Sequence, residues 1–245
     1  ALHDGDEITP GPDLYHGSWL RDAAYMTYAL SACGHREAAS HLVRGFLKRQ
    51  RREGIFISQF GEWDSTGQVL WTAAQHLRLH PDNRLQAEIA PALTRGARWI
   101  THTLRKSGGL MPPGISSEHL GPPDRYYWDN LWSVAGLEAG QEITGNANFA
   151  KEARRLRKAL NRAWQKDTSR LGREALPAAP GRPVDLGAVG TLAAWFPLRV
   201  LPSDHPLLVG SLLALQEATF YDGALFVHAA HSRRGTYPHM RAPGR

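Results

Sequence analysis

The chain repeats one order of segments, and this order leaves few choices for its fold. Apolar residues recur at helical spacing in pairs of segments, each pair joined by a short turn and followed by a longer loop. The first segment of a pair is the more apolar and begins with an acidic residue, whereas the second carries most of the charges. In antiparallel helical hairpins this asymmetry is typical of an inner and an outer ring. We therefore predict an all-α chain, built as an (α/α) toroid or barrel of helical hairpins.

Eight segments have a helical period, and a ninth is expected to begin within 224–231. The eight span residues 18–32, 35–52, 64–79, 84–105, 129–143, 147–166, 186–196 and 205–219. We expect Pro91 to bend or divide the fourth segment. A closed ring of six hairpins needs about twelve helices and well over ~300 residues. Since the chain has 245 residues, we expect either an incomplete ring of eight to nine helices or a chain that lacks part of one.

We predict a single domain over residues 1–245. Residues 1–16 are expected to form a loop before the first helix, and residues 232–245 form an irregular tail without a clear period. Only residues 55–60 suggest a strand. No apolar run reaches the ~18–20 residues that span a bilayer, so no membrane partner is expected.

The net charge of +6 is carried mostly by arginine, in stretches such as 48–52 and 154–158. These stretches lie on polar helix faces without a nucleic-acid motif, so we expect solvated faces and no nucleic-acid partner. Cys33 is the only cysteine, which fits a cytoplasmic location. His228 and His231 lack a third ligand, and no phosphate-binding loop is present, so no metal and no cofactor are expected. The oligomeric state stays open.

The stretch most suggestive of chemistry is YYWDNLW at residues 126–132. Two prolines precede it and an apolar helical run follows, so Asp129 is expected near the first turn of a helix. An aspartate there can simply cap the helix. A cap does not need Tyr126, Tyr127 and Trp128 beside it, whereas a pocket that stacks against sugar rings does. Both interpretations are open on these residues alone.

Other segments also begin with an acidic residue. Their openings are WLRD at 19–22, EWD at 62–64 and VDL at 184–186. If these segments are the inner helices of one ring, their first turns gather several carboxylates in one hollow. The plainer alternatives are that Arg21 pairs with Asp22 and that Asp64 caps its helix, and Asp185 is expected to act as a cap.

Three segments carry a resemblance to a known family. YHGSWLRDAAYMTYAL, FGEWDSTGQVLW and PPDRYYWDNLW occur in this order. They resemble the six-hairpin (α/α) glycosidases, and most closely the glucoamylase-like enzymes of glycoside hydrolase family 15. The resemblance runs from about residue 15 to 140 and more weakly to about 200. It implies hydrolysis of a terminal α-linked sugar from an oligosaccharide, with inversion of the anomeric carbon.

The resemblance also implies roles for individual residues. Asp129 takes the place of the general acid, which in family 15 is usually glutamate; an aspartate there is similar to trehalase-like and family 63 enzymes. Arg21 and Asp22 would contact hydroxyl groups of the terminal sugar, and Asp64 is a further candidate contact. The residues expected to stack against sugars are Trp19, Trp63 and Trp128, and Tyr127 is a further candidate for substrate binding.

Glycoside hydrolysis needs a second carboxylate, and the sequence does not identify it. No acid after residue 200 fits a general base, because Glu217 lies near the wrong end of its helix. Glu118, in the long loop before residue 122, is either a substrate contact or a surface acid. Two other functions therefore stay open: a degenerate toroid that binds carbohydrate without hydrolysis, and a sugar epimerase that uses some of the twelve histidines.

Overall fold

The structure is a computed structural model that describes residues 2–4, 7–12, 16–115, 122–221 and 224–225. In these residues nearly all regular structure is helical, so the predicted all-α class is confirmed. The helices are α1 Leu20–Ala32, α2 Arg36–Leu47, α3 Ser65–Leu79, α4 Asn83–Lys106, α5 Tyr127–Thr144, α6 Ala147–Leu171, a 3-10 helix Leu186–Ala194 and α7 Pro206–Thr219.

Two details of the predicted helices differ from the structure. The helix α4 continues through Pro91 and is not divided there. The seventh segment is a 3-10 helix rather than an α-helix. Its nine residues, LGAVGTLAA, are almost all small or apolar, so the sequence offers no polar face from which to judge the period.

Short strands occur where none was predicted. β1 (Leu2–Asp4) and β2 (Glu7–Thr9) form an antiparallel hairpin in the segment expected to be a loop. β3 (Phe220–Tyr221) pairs with β4 (Ala224–Leu225), where a ninth helix was expected to begin. Segments of two or three residues are too short to show an alternating pattern. The rest of the ninth segment, and the tail 232–245, lie outside the described residues.

The chain divides into two compact units. Unit 1 comprises Ala1–Gly109 and Trp132–Leu156, and unit 2 comprises Leu110–Leu131 and Arg157–Arg245. The prediction of a single domain stays a prediction.

Within unit 1 the helices alternate as inner and outer members of hairpins. α1 contacts α3, α2 contacts α4, and each hairpin partner contacts its own mate. α3 is buried along most of its length, with eleven of its fifteen residues inaccessible, whereas α2 and α4 bury one stripe and expose arginine and glutamate. This asymmetry between consecutive helices agrees with the sequence pattern.

Glycine allows α3 and α5 to touch within unit 1. A Cβ atom on Gly67 would overlap the Trp132 carbonyl, and one on Gly136 would lie 2.7 Å from the Gly67 Cα. The close approach places the Trp132 ring 5.5 Å from that of Trp71 and 6.0 Å from that of Tyr25, both edge to face. Such pairs are preferred aromatic geometries and add to the stabilisation from burial.

Unit 2 contains the 3-10 helix and α7, which pack against each other. Asp185 caps the 3-10 helix by accepting a hydrogen bond from the Gly187 N–H at 2.9 Å, as the sequence predicted. The Ser211 hydroxyl on α7 accepts from the Leu176 N–H at 2.8 Å. This bond ties the loop after α6 to α7.

A buried histidine joins α1, α2 and α3. His76 is only 1% exposed. The Ser31 hydroxyl donates to the Thr27 carbonyl at 2.9 Å and therefore accepts from His76 Nδ1, also at 2.9 Å. The Ser40 hydroxyl donates to Nε2 at 2.8 Å. These partners satisfy both ring nitrogens when the imidazole is neutral.

Burial is the main cause that lowers the pKa of His76 from 6.5 to about 4, and the neighbouring His80 and Arg36 lower it further, against an opposing effect of Asp82. Because the folded-state pKa lies below the unfolded value, the unfolded chain takes up a proton first as the pH falls. The contribution of His76 is therefore complete above pH ~6.5 and is lost as the pH falls towards ~4.

We predict that the protein loses about 2 kcal/mol of unfolding free energy between pH 7 and pH 5 through this one group. Urea unfolding at both pH values measures the loss. His76→Gln should be less stable at pH 7 and should lack this part of the pH dependence. The exposed His102→Gln is the matched control and should keep it. Parallel pH dependence in the wild type and His76→Gln would show that His76 is not the cause.

Candidate functional site

The predicted acid lies in the first turn of a buried helix. α5 begins at Tyr127, so Asp129 is in its first turn, as expected from the sequence. Tyr126, Tyr127 and Asp129 are 0% exposed, and Trp128 is 7% exposed. A carboxyl group with three aromatic residues just before it is therefore enclosed by the protein at a helix start.

Tyr127 fixes this first turn to the rest of unit 2. Its N–H donates to the Ala178 carbonyl at 2.9 Å, and its hydroxyl donates to Asp167 Oδ2 at 2.7 Å. Asp167 is held in turn by the Arg170 guanidinium at 3.0 Å and the Gly181 N–H at 2.9 Å. Burial, followed by the hydrogen bond to Asp167, raises the pKa of Tyr127 well above its usual value, so its hydroxyl stays a donor.

Asn130 fixes the other side of the turn. Its Oδ1 accepts from the Met111 N–H at 2.8 Å, and its Nδ2 donates to the Tyr126 carbonyl at 2.8 Å. The Tyr126 hydroxyl donates to the Pro122 carbonyl at 2.7 Å. The residues on both sides of Asp129 are thus held by hydrogen bonds to separate loops of unit 2, which restricts where the carboxyl group can point.

Arg182 adds positive charge beside Tyr126. Its guanidinium carbon lies 5.7 Å from the centre of the Tyr126 ring, and its nitrogens lie 3.4 Å from Asp185 and 3.8 Å from Asp124. Burial raises the pKa of Tyr126, and the charge of Arg182 partly opposes this rise. Neither Arg182 nor Asp167 could be recognised from the sequence, because they resemble ordinary surface charges in a Pro-rich loop and on an amphipathic helix.

A second set of predicted residues meets in unit 1. Arg21 donates to Asp64 Oδ2 from Nε at 3.0 Å and from Nη2 at 2.7 Å. Nη2 also lies 3.5 Å from Glu62, and Gln68 donates to the same Asp64 oxygen at 2.8 Å. Asp64 is 1% exposed. The carboxylate does not cap α3, so the capping alternative is wrong and Asp64 instead orients Arg21.

Trp19, Trp63 and Trp99 of unit 1 are half-buried. The Trp63 ring packs against that of Trp99, with centroids 6.1 Å apart. Trp19 precedes α1, and its indole lies against Gly17, where a Cβ atom would come within 2.7 Å of the ring nitrogen. Glycine at position 17 therefore leaves room for the Trp19 ring. Asp22, in the first turn of α1, is also half-buried.

Some of the predicted site residues belong to unit 1 and others to unit 2. Trp19, Arg21, Asp22, Trp63 and Asp64 belong to unit 1, and residues 127–129 belong to unit 2. The candidate substrate contact Glu118 lies outside the described residues. The same is true of the histidine pair His228 and His231. The structure brings Arg21 and Asp64 together. The roles of all these residues in sugar binding stay predictions.

The described part of the chain contains no cluster of three or more His, Cys, Asp or Glu residues that could hold a metal ion. Among the described helices, none has the length and apolar character to cross a membrane. Glu217 pairs with Arg173 at 2.6 Å on the surface, and this bond holds the pKa of Glu217 below its usual value.

Comparison with known proteins identifies the fold. Neither a protein-family profile nor a curated protein sequence matches the chain. Two solved structures share its fold. One is named as a glycosidase variant with a glutamate replaced by alanine (TM-score 0.69, 18% identity) and one as a wild-type glycosidase (TM-score 0.65, 17% identity). Each match covers 91% of this chain and 67% of the solved chain. The chain therefore has a glycosidase fold.

We predict that removing Arg21 costs far more stability than removing an exposed arginine. Arg21→Met leaves the buried Asp64 carboxylate without its cation and should cost about 3–5 kcal/mol. Asp64→Asn in the same chain should return part of the loss, which a double-mutant cycle in urea unfolding measures. The control is Arg44→Met, whose exposed pair with Glu88 should contribute at most ~1 kcal/mol. Equal losses for Arg21→Met and Arg44→Met would show that the buried pair of Arg21 and Asp64 contributes no more to stability than an exposed pair.

Proposed function

We propose that the protein is a glycoside hydrolase that cleaves a terminal α-linked sugar from an oligosaccharide, with Asp129 as the general acid. The observation that carries the proposal is the complete burial of Asp129 in the first turn of α5, within a glycosidase fold. The assignment to the six-hairpin, family 15-like group belongs to this proposal and rests on the motifs around residues 19–22, 62–64 and 126–132.

The position of Asp129 suits an acid that must change its charge during the reaction. Burial disfavours a charged carboxylate, which favours the protonated form before bond cleavage. The N-terminal end of a helix stabilises a negative charge, which favours the anion after the proton has left. A general acid needs both states to be accessible near the working pH. The hydrogen-bonded residues Tyr127 and Asn130 hold the Asp129 carboxyl group in one place while it changes between its protonated and ionised forms.

In the proposed reaction Asp129 gives its proton to the glycosidic oxygen as the bond to the anomeric carbon breaks. A water molecule, deprotonated by a second carboxylate, attacks that carbon from the opposite face and inverts its configuration. In inverting enzymes the two carboxyl groups lie ~6.5–9.5 Å apart, which leaves room for the water. The second carboxylate is unassigned, and Glu118 remains a proposed substrate contact.

The residues of unit 1 are proposed sugar contacts. Arg21 is held by Asp64 through two of its N–H groups, and a guanidinium fixed in this way is a pre-oriented donor for a sugar hydroxyl. Asp22 would accept from a second hydroxyl. Trp19 and Trp63, both half-buried, would present an aromatic face to a sugar ring. Tyr127 and Trp128 are the corresponding proposed contacts near Asp129.

We expect Asp129→Asn to lower turnover on an α-linked oligosaccharide such as maltotriose by at least ~10²-fold, because the amide cannot supply the proton. Release of reducing sugar measures turnover, and the melting temperature shows whether the variant folds. Asp185→Asn is the matched control: asparagine also caps helices, so this variant should keep its activity.

Calorimetry with the same sugars separates hydrolysis from binding alone. Retained sugar binding in Asp129→Asn, together with lost turnover, supports the proposed acid. Sugar binding by the wild type without any bond cleavage would instead support the carbohydrate-binding alternative. Near-normal turnover in Asp129→Asn would remove Asp129 from the mechanism.

A further inference from the structure

A cavity of about 410 Å³ lies in unit 1, between the second half of α4 and the start of α6. Its size is within the range of small-molecule sites, ~300–1,000 Å³, and well above that of a single ion. It is lined by none of the residues proposed for sugar cleavage. Arg98, His102 and Arg105 form its α4 wall, and Asn146, Asn148 and Phe149 belong to the facing wall at the start of α6.

The α4 wall is basic. Arg98, His102 and Arg105 are spaced four and three residues apart, so they share one face of the helix. Arg98 is exposed and makes no hydrogen bond or ion pair with any described residue. A guanidinium in this state keeps all five of its N–H donors for a ligand.

Glu152, the one acid among the described residues that line the cavity, is paired with arginine. Glu152 is 6% exposed, and its Oε1 accepts from Arg105 at 2.7 Å and from Arg155 at 3.0 Å. Two guanidinium groups thus share one carboxylate, and Arg98 adds a third positive charge. The surroundings of the cavity therefore carry a net positive charge, which favours an anion.

The α6 wall adds neutral donors and an apolar surface. The Asn148 N–H donates to Asn146 Oδ1 at 3.1 Å and the Phe149 N–H donates to the Asn146 carbonyl at 3.0 Å, so these two groups are already used. The positive end of the α6 dipole still favours an anion, and Asn146 and Asn148 bring side-chain amides. On the α4 side, the buried Thr101 hydroxyl has no hydrogen-bond partner among the described residues. Phe149, 3% exposed, supplies an apolar surface.

We propose that this cavity binds a phosphate group, with room beside it for an attached body the size of a monosaccharide. Paired guanidinium groups are the preferred protein partners of phosphate, and amide, hydroxyl and apolar surfaces next to them fit a sugar. The phosphate could come from free inorganic phosphate or from a sugar phosphate. The inference does not depend on the proposed hydrolysis, because it uses none of the same residues.

Calorimetry on the full chain at constant ionic strength tests the site with inorganic phosphate, glucose 6-phosphate and glucose as probes. We expect both phosphate-bearing probes to bind and glucose to bind at least ~10-fold more weakly. Tighter binding of glucose 6-phosphate than of inorganic phosphate identifies a sugar phosphate as the source, and equal binding identifies the free ion. Both outcomes support the phosphate site, whereas glucose binding as tight as that of glucose 6-phosphate would overturn it.

Arg98→Ala should weaken phosphate binding at least ~10-fold without a change in melting temperature, because the side chain is exposed and pairs with none of the described residues. The matched control is Arg154→Ala, an exposed arginine of α6 that does not line the cavity. It removes the same charge from the protein and should leave the affinity unchanged. Equal losses in the two variants would show attraction to general surface charge and would overturn the proposed site.

Discussion

The contact between α3 and α5 at Gly67 is the constraint on which the packing of unit 1 depends. No side chain larger than hydrogen fits there, because the Trp132 backbone occupies the space of a Cβ atom. The close approach lets Trp71 and Trp132 meet edge to face, and it leaves α3 buried on nearly all sides. An inner helix surrounded in this way can have no charged face, so the charges of unit 1 concentrate on α2, α4 and the start of α6.

The acidic residues at the helix starts serve different purposes, although the sequence presents them alike. Asp82 and Asp185 cap their helices through backbone N–H groups. Asp64 does not cap α3 and instead holds Arg21. Asp129 lies fully buried in the first turn of α5, between two residues that are anchored by hydrogen bonds. These contacts, which the sequence does not show, distinguish the acids with a structural role from Asp129, the candidate catalytic acid.

The sequence predicts what depends on periodicity and misses what depends on distant contacts. The helical spacing of apolar residues predicted the ends of the α-helices to within five residues. The hydrogen bond between Tyr127 and Asp167 joins residues 40 positions apart, and that between Arg21 and Asp64 joins residues 43 apart. Neither pairing leaves a local signal. The aromatic–acid motif at residues 126–132 predicts the position of a candidate site, whereas the partner of Tyr127 is visible only in the structure.

In the proposed mechanism the Asp129 side chain reaches the oxygen of the bond to be cleaved. A crystal structure of Asp129→Asn with an uncleaved α-linked oligosaccharide tests it most directly. We predict that the side chain at position 129 lies ~2.6–3.2 Å from the glycosidic oxygen of the terminal sugar. An oligosaccharide bound with that oxygen far from the first turn of α5 would contradict the claim.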